Sequence, residues 1–378
     1  MSEGPSLHVL ILAGGVGTRF WPASTPARPK QLLALGSERP LIVDTVERAL
    51  KVAERDRIRI LTGAHLVHPF QAALPQLPDS AYWVEPRARG TGPVLAWAAH
   101  QVAAQDPDGV LISLHADHLI DPDEALSALL PRAAALASDE DLLLTLAVPP
   151  DRPETGYGWI RPGEPIRDEA GLRAWRVGAF VEKPDLPTAE RYLQEGYLWN
   201  SGIFVWSARR FLEEVHLHAP EIAPHLAHLD RGDVEAYFQE VSPISVDEAV
   251  LERSGRVGTV EATFRWDDVG SWASLSRARR GDEAGNVTVG ETHVVQAGGN
   301  VVWAEDGPVV LFGVDDLVVV RTGGITVVAR KDRSPDWKEL VARLPERLRE
   351  GEFGVPGPGG SKAGPSKAGP IPGPGDDV

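Results

Sequence analysis

A glycine-rich turn followed by three cations forms a set that could bind and transfer a phosphate group. Gly14, Gly15 and Gly17 follow the apolar run Val9-Leu10-Ile11-Leu12, and Thr18, Arg19, Arg28 and Lys30 come after them. A turn without Cβ atoms lets backbone N–H groups come close to a phosphate. No Asp or Glu occurs between Gly4 and Ser37, although the chain carries a net charge of −16. A basic, carboxylate-free loop in an acidic protein reads as an anion site. Neither familiar phosphate loop accounts for it. No Gly-Lys pair follows, as a P-loop requires, and Phe20 stands where a dinucleotide fingerprint needs its third glycine. As loop cations facing a ligand, Arg19 and Lys30 are expected to add little to stability.

Two acidic strings complete the chemistry. Asp117, in LHADHLI, follows another apolar run. A carboxylate at the end of a strand suits Mg²⁺, which takes one or two carboxylates together with substrate phosphates. A zinc reading of His115-x-Asp117-His118 would need a further histidine at 113, where Ser113 stands. Asp121, not Asp117, is expected to cap the helix that follows. In WDDVGSW, Asp267 and Asp268 read either as ligands of a cation or as caps of a helix starting near Ser271.

These residues need a scaffold that gathers strand ends. Strands are predicted at 7–12, 57–62, 81–84, 109–114 and 141–147, alternating with helices near 40–54, 65–75, 92–105 and 122–137. Such alternation implies a Rossmann-like, three-layer α/β domain with a mostly parallel sheet and ligands at its carboxyl edge. Residues 151–280 read as an insertion with short strands in GYGWI, RVGAFVEK and SGIFVWS, and helices near 187–196 and 207–230. From 286 to 330, six short β-runs separated by Gly and Asp turns predict a small β-roll or β-helix, with a subunit contact on it. A helix is expected at 334–350. The expected division is a catalytic domain over 1–280, a β-rich domain over 281–350 and a Gly/Pro-rich disordered tail over 351–378, where SKAGP repeats.

Composition narrows the functions. The chain has no cysteine, so disulfides, thiolate metal sites and cysteine nucleophiles are out. No apolar run reaches about 18 residues, so no membrane span is expected. The acidic balance argues against nucleic acid as a partner. A cytoplasmic protein without a secretory leader is expected.

The string LAGGVGTRFWP…RPKQ resembles the signature of sugar-1-phosphate nucleotidyltransferases, and its FWP and PKQ variants resemble the mannose-1-phosphate guanylyltransferase branch, also called GDP-mannose pyrophosphorylases. The resemblance spans about residues 7–335, with GYG, EKP, WNSG and DVGSW in the family's order. It implies transfer of GMP from GTP to mannose 1-phosphate with Mg²⁺; with the subunit contact expected on the β-rich domain, a homodimer is expected. Carried over residue by residue, it implies nucleotide contacts at Leu12, Ala13, Gly14, Gly15, Gly17, Thr18, Glu85, Pro86 and Thr91. Arg19 and Lys30 are implied as phosphate cations, and Asp117 and Asp268 as catalytic metal ligands, with Asp267 the alternative. Gly158, Glu182, Lys183 and Asn200 are implied as the sugar-phosphate site. Three positions depart from the pattern: His115 replaces Pro, Gly90 replaces Asn and Gly92 replaces Ala, the last two in the base-recognising stretch. The longer bifunctional relatives add a cupin-type isomerase domain, for which this sequence has no room. The same chemistry on another sugar or nucleotide, or a silent sugar-nucleotide sensor, are the alternatives.

Overall fold

The computed structural model of the chain describes residues 5–15, 17–169 and 172–351. Val16 of the glycine loop, and the tail from 352 that the composition marks as disordered, lie outside the described residues. Strand β1 (Leu7–Leu12) sends Val9 and Ile11 into one core and Leu10 and Leu12 into another. A strand apolar on both faces needs cover on both. Beside it run β2 (Ile58–Gly63), β3 (Tyr82–Glu85) and β4 (Val110–His115), all parallel, in the order β3-β2-β1-β4. Helices α1 (Leu41–Leu50) and α2 (Ala64–Ala73) bury Val46 and Phe70 in the first core, and α3 (Thr91–Ala103) buries Leu95 and Trp97 in the second.

The rest of the sheet is mixed. After β5 (Leu119–Asp121) and α4 (Asp123–Asp139) come β6 (Leu143–Val148), β7 (Gly158–Glu169), β8 (Leu172–Glu182), β9 (Leu198–Ser207) and β10 (Val257–Glu261). They extend the sheet as β4-β9-β6-β10-β8-β7, with β9 antiparallel to both β4 and β6. Residues read as an insertion therefore supply strands to the same sheet. Asp121, expected to cap α4, ends β5 and pairs with Arg265; α4 opens at Pro122 with no side-chain cap. Helix α5 (Leu186–Gln194) lies where one is expected, but the helix expected over 207–230 is split into α6 (Ala208–His218) and α7 (Leu226–Asp230). Ala219 precedes Pro220 and is pushed out of the helical conformation. Helix α8 (Val234–Glu240) and a π-helical turn, Asp247–Leu251, follow.

Strand β11 (Arg265–Asp267) pairs with β5 and leads to α9 (Leu275–Ala278). The six β-runs form β12 (Val287–Val289), β13 (Thr292–Val295), β14 (Val301–Ala304), β15 (Val309–Phe312), β16 (Leu317–Thr322) and β17 (Ile325–Arg330). Coil stacks on coil: Val287, Val301 and Val318 align across parallel strands, and β13 pairs with β15. At one corner, the buried Asn300 amide donates to Asn286 Oδ1 at 2.9 Å and to the Val314 carbonyl at 3.0 Å. The helix expected at 334–350 divides into α10 (Trp337–Ala342) and α11 (Glu346–Arg349), interrupted at Pro345.

This coil grips the segment that carries the basic loop. Phe20, Trp21, Leu33, Val269 and Trp272 share a core with Val301, Trp303, Val318 and Trp337. The Trp272 and Trp337 indoles both donate to the Trp21 carbonyl, at 3.2 and 2.7 Å. Arg28 also holds Glu305 through two 2.8 Å hydrogen bonds. Burying each large apolar side chain is worth ~1.5–3 kcal/mol, against ~0–1 kcal/mol for an exposed ion pair. Packing therefore holds the loop, and the ion pair only orients it.

Candidate active site

The glycine loop leaves β1 at the carboxyl edge of the parallel strands. Leu12 and Ala13 lie beneath it: the Leu12 carbonyl accepts from Ala116, and Ala13 is tied to Leu61 and Thr62. Their backbone groups are thus spent on the sheet, and the open part of the loop begins at Gly14. A Cβ on Gly14 would stand 3.0 Å from Glu85 Oε1, so the Glu85 carboxylate closes one side of the turn. Gly17 has φ of 72°, and a Cβ there would lie 2.3 Å from Lys30 Cβ, so conformation and space both demand glycine. Gln31 Nε2 donates to the Gly15 carbonyl at 2.8 Å and Ser24 Oγ to the Gly17 carbonyl at 2.6 Å. Thr18 and Arg19 start a short 3₁₀ turn and lie at the rim, with Arg19 exposed. Among the described residues no carboxylate pairs with Arg19.

Lys30 differs from what a loop cation should be. It is buried, and its ammonium donates to Asp117 Oδ2 at 2.9 Å and to the Asp268 carbonyl at 2.6 Å. One side chain thus joins the glycine loop, the end of β4 and the turn after β11. This corrects the expectation that Lys30 adds little to the fold. Burial alone would raise the Asp117 carboxyl, but the Lys30 ammonium holds it well below the usual range.

The two acids of WDDVGSW divide their work. Asp267 Oδ1 accepts from the Val269 N–H at 2.7 Å, and its Oδ2 accepts from Arg277 Nε at 2.9 Å. It braces the turn. Asp268 instead faces the cleft, where its Oδ1 accepts from the Tyr157 hydroxyl at 2.7 Å. Burial raises the Asp268 carboxyl, and Asp267 and Asp117 push in the same direction against Lys30. Val269, a buried β-branched residue at φ of 45°, turns the chain so that the two acids diverge. Neither acid caps the next helix; Ser271 does, in a capping box with Ser274. Tyr157 is fixed by Trp199 and Trp266, with ring centroids at 5.3 and 5.0 Å, and Arg152 lies over the Trp199 ring at 4.6 Å.

Asp117 and Asp268 offer the hard oxygen donors that Mg²⁺ prefers. Burial, with Asp267 and Asp117 beside it, raises the Asp268 carboxyl against the single ammonium of Lys30, which marks that carboxylate as short of positive charge. The residues therefore fit a divalent ion. His115, in place of the family's proline, stacks on His118 at 4.4 Å, and its Nε2 would lie 2.9 Å from a Cβ on Gly202. Burial lowers the proton affinity of both imidazoles. His118 Nδ1 accepts from Trp266 Nε1 at 3.0 Å, so this histidine serves the wall of the cleft.

The base-side stretch explains its own departures. Gly90 has φ of 84°, and a Cβ there would meet the Ile244 carbonyl at 2.5 Å; one on Gly92 would meet it at 3.1 Å. Segment 244–246 lies directly behind the stretch. Ile244 donates to the Arg89 carbonyl at 3.0 Å, Gly92 donates to the Ile244 carbonyl at 3.1 Å, and Val246 donates to Thr91 Oγ1 at 2.9 Å. The Thr91 hydroxyl oxygen is thus engaged with the protein. Glu85 and Pro86 stay partly exposed at the end of β3, and burial pushes the Glu85 carboxyl up to about 7.

On the far side, Gly158, Glu182 and Asn200 converge. A Cβ on Gly158 would lie 2.7 Å from Glu182 Oε2 and 3.3 Å from Asn200 Cβ. Lys183, at φ of 46°, sits at the edge with its ammonium on Glu182. Sequence reasoning missed Asp247, whose Oδ1 accepts from Asn200 Nδ2 at 2.9 Å. It lies 47 residues downstream, at the start of the π-helical turn, and no spacing rule links the two.

Comparison with known proteins accounts for both parts of the chain. Residues 8–285 match the nucleotidyl transferase family, and residues 290–344 match the mannose-phosphate isomerase/GMP-like β-helix domain. The chain is 35% identical over 354 residues to the mannose-1-phosphate guanylyltransferase of Escherichia coli K12, covering 89% of this chain and 73% of that protein. It is 36% identical to the alginate biosynthesis protein AlgA of Pseudomonas syringae pv. tomato, covering 90% of this chain and 72% of that protein. A solved structure from Thermus thermophilus, described as a mannose-1-phosphate geranyltransferase, superposes with a TM-score of 0.82 at 32% identity. The match covers 89% of this chain and 99% of that one.

Proposed function

The chain belongs to the nucleotidyl transferase family, and within it we propose a mannose-1-phosphate guanylyltransferase: GTP and mannose 1-phosphate give GDP-mannose and pyrophosphate. The observation that carries the reading is the junction at Lys30, which ties the phosphate loop to both acids that suit a divalent ion.

Transfer needs no protein nucleophile. A phosphate oxygen of mannose 1-phosphate attacks the α-phosphorus of GTP, the bond from that phosphorus to the bridging oxygen of the β-phosphate breaks, and pyrophosphate departs with the electron pair. The chain's task is then positioning and charge neutralisation. Gly14, Gly15, Gly17 and Thr18 offer backbone N–H groups, Arg19 at the rim meets the β- and γ-phosphates, and Lys30 meets the α-phosphate. Mg²⁺ held by Asp117 and Asp268 would supply a further positive charge to the phosphates. Tyr157 fixes the direction of the Asp268 carboxylate. Ionised Glu85 is an acceptor pair matched to two N–H donors on the guanine edge. Glu182 and Asn200 read sugar hydroxyls, and Lys183 meets the sugar phosphate.

The unit over 1–280 carries this chemistry, and the one over 281–350 braces its loop and pairs subunits. Val295, Val310 and Phe312 lie exposed on neighbouring strands β13 and β15, an apolar face suited to a second copy. No helix among the described residues is long and apolar enough to cross a membrane; we place the homodimer in the cytoplasm.

A pyrophosphate-release assay across four nucleoside triphosphates and several sugar 1-phosphates tests the assignment. The expected maximum is GTP with mannose 1-phosphate, by roughly ten- to hundred-fold over glucose 1-phosphate in kcat/KM, because a misplaced hydroxyl leaves buried groups unpaired. A preference for glucose 1-phosphate would leave only the nucleotidyltransferase class.

A further inference from the structure

We infer that Asp247 is a specificity-determining residue of the sugar pocket, orienting the Asn200 amide and itself accepting a ring hydroxyl of the hexose 1-phosphate. The inference rests on the hexose 1-phosphate reading of the cleft and goes one residue beyond it.

The Asn200 amide is held in one orientation. Its Oδ1 accepts from Thr145 Oγ1 at 2.7 Å and from the Gly202 N–H at 3.3 Å, while its Nδ2 donates to Asp247 Oδ1 at 2.9 Å. Flipping the amide would set N–H against N–H at Gly202 and a carbonyl against a carboxylate. Asp247 therefore determines that Asn200 presents a donor, with one Nδ2 proton left for a ligand. Asp247 is half-buried, as suits a group lining a pocket.

The hollow holds more acceptors than the protein satisfies. Glu182 and Asn200 share the space that the missing Cβ of Gly158 leaves open. Glu182 lies near enough for its charge to act on Asp247: burial and then Glu182 push the Asp247 carboxyl up to about 7. The neighbouring cation, Lys183, stands at the exposed edge beside Glu182. The two carboxylates repel a phosphate, whereas together with the free amide proton they complement a ring of hydroxyls, each of which can donate to a carboxylate oxygen and accept from an N–H. The ring of the substrate, and not its phosphate, fits here.

The test is steady-state kinetics with saturating GTP on wild type, Asp247→Asn and Asp247→Glu, using mannose 1-phosphate and its monodeoxy analogues. Both variants should raise the KM for the sugar phosphate by roughly ten- to hundred-fold, the worth of a charged hydrogen bond. The KM for GTP should stay within about two-fold. One deoxy analogue that wild type disfavours should lose its handicap in Asp247→Asn, a result that a merely structural role would not give. Asp247→Glu keeps the charge and carries the test if Asp247→Asn melts early. An unchanged sugar KM, or an equal loss on every analogue, overturns the role of Asp247. A wild type that prefers another hexose 1-phosphate overturns the mannose reading but leaves Asp247 testable on that substrate, and a wild type that takes no hexose 1-phosphate overturns both.

Discussion

Replacing Lys30 by methionine should damage the protein in two separable ways. Methionine keeps much of the apolar stem but deletes the ammonium that contacts Asp117 at 2.9 Å and the Asp268 carbonyl at 2.6 Å. Removing one member of a buried pair costs ~3–5 kcal/mol, because the other charge stays buried and unpaired. The Asp117 side chain keeps 26% exposure, so water takes up part of that charge and the lower end, about 3 kcal/mol, applies. At ~2–3 °C per kcal/mol for a chain of this size, Tm should fall by roughly 5–10 °C at neutral pH. The sign follows from Asp117: its carboxyl is held below its unfolded value, so its stabilisation is present above about pH 4 and fades as the pH falls toward 2. Differential scanning fluorimetry at neutral pH measures the drop. Millimolar Mg²⁺ should recover part of it, as should Asp117→Asn in the same background, because each relieves the orphaned charge. Turnover should stay low in every one of these variants. An unchanged Tm in Lys30→Met, or a drop that neither Mg²⁺ nor Asp117→Asn relieves, would refute the junction.

The other predictions follow from the same contacts. Asp268→Asn should lower kcat by at least ~100-fold with Tm nearly kept, as for loss of a preorganised charge at the reacting phosphates. Asp267→Asn should instead lose ~1–3 kcal/mol of stability, since it holds the Val269 N–H and Arg277; a dead but fully stable Asp267→Asn would reverse the two roles. Glu85 binds its proton up to about pH 7, so the KM for GTP should fall about ten-fold from pH 6 to 8 in wild type and stay flat in Glu85→Gln. Because the folded carboxyl sits above its unfolded value, the same variant should also melt higher than wild type at pH 8 and not at pH 4. Deleting residues 352–378 should leave activity and Tm unchanged, whereas ending the chain near 283 removes Trp303, Trp337 and Glu305 from the loop's support. A monodisperse, active fragment ending there would contradict the bracing role.

Much of this molecule is legible in its sequence, and the failures share a cause. The parallel strands announce themselves as short apolar runs, and the paired order of β-runs and turns in 286–330 marks the coil, because both patterns are local. Lys30 reads as a surface cation because its partners, Asp117 and Asp268, lie 87 and 238 residues away. Asp121 reads as a cap because the cap rule cannot see that Arg265 and β11 claim it for a strand. Gly90 and Gly92 read only as departures from the family's base-recognising pattern; the Ile244 carbonyl passes within reach of a Cβ at either position. Asp247 escapes notice for the same reason, since only the tertiary fold brings it to Asn200. Local periodicity specifies elements, and proline stops the helices near 219 and 345, but contacts across the cleft are set by the assembled sheet.

The central claim is that this cleft transfers GMP directly, by positioning and charge, with no covalent protein intermediate. The direct measurement uses GTP made chiral at the α-phosphorus with sulfur, together with mannose 1-phosphate and Mg²⁺. One in-line displacement should release pyrophosphate in equal amount to the GDP-mannose analogue, with the configuration at phosphorus inverted. Retention of configuration, or a GMP group trapped on the protein, would contradict the account.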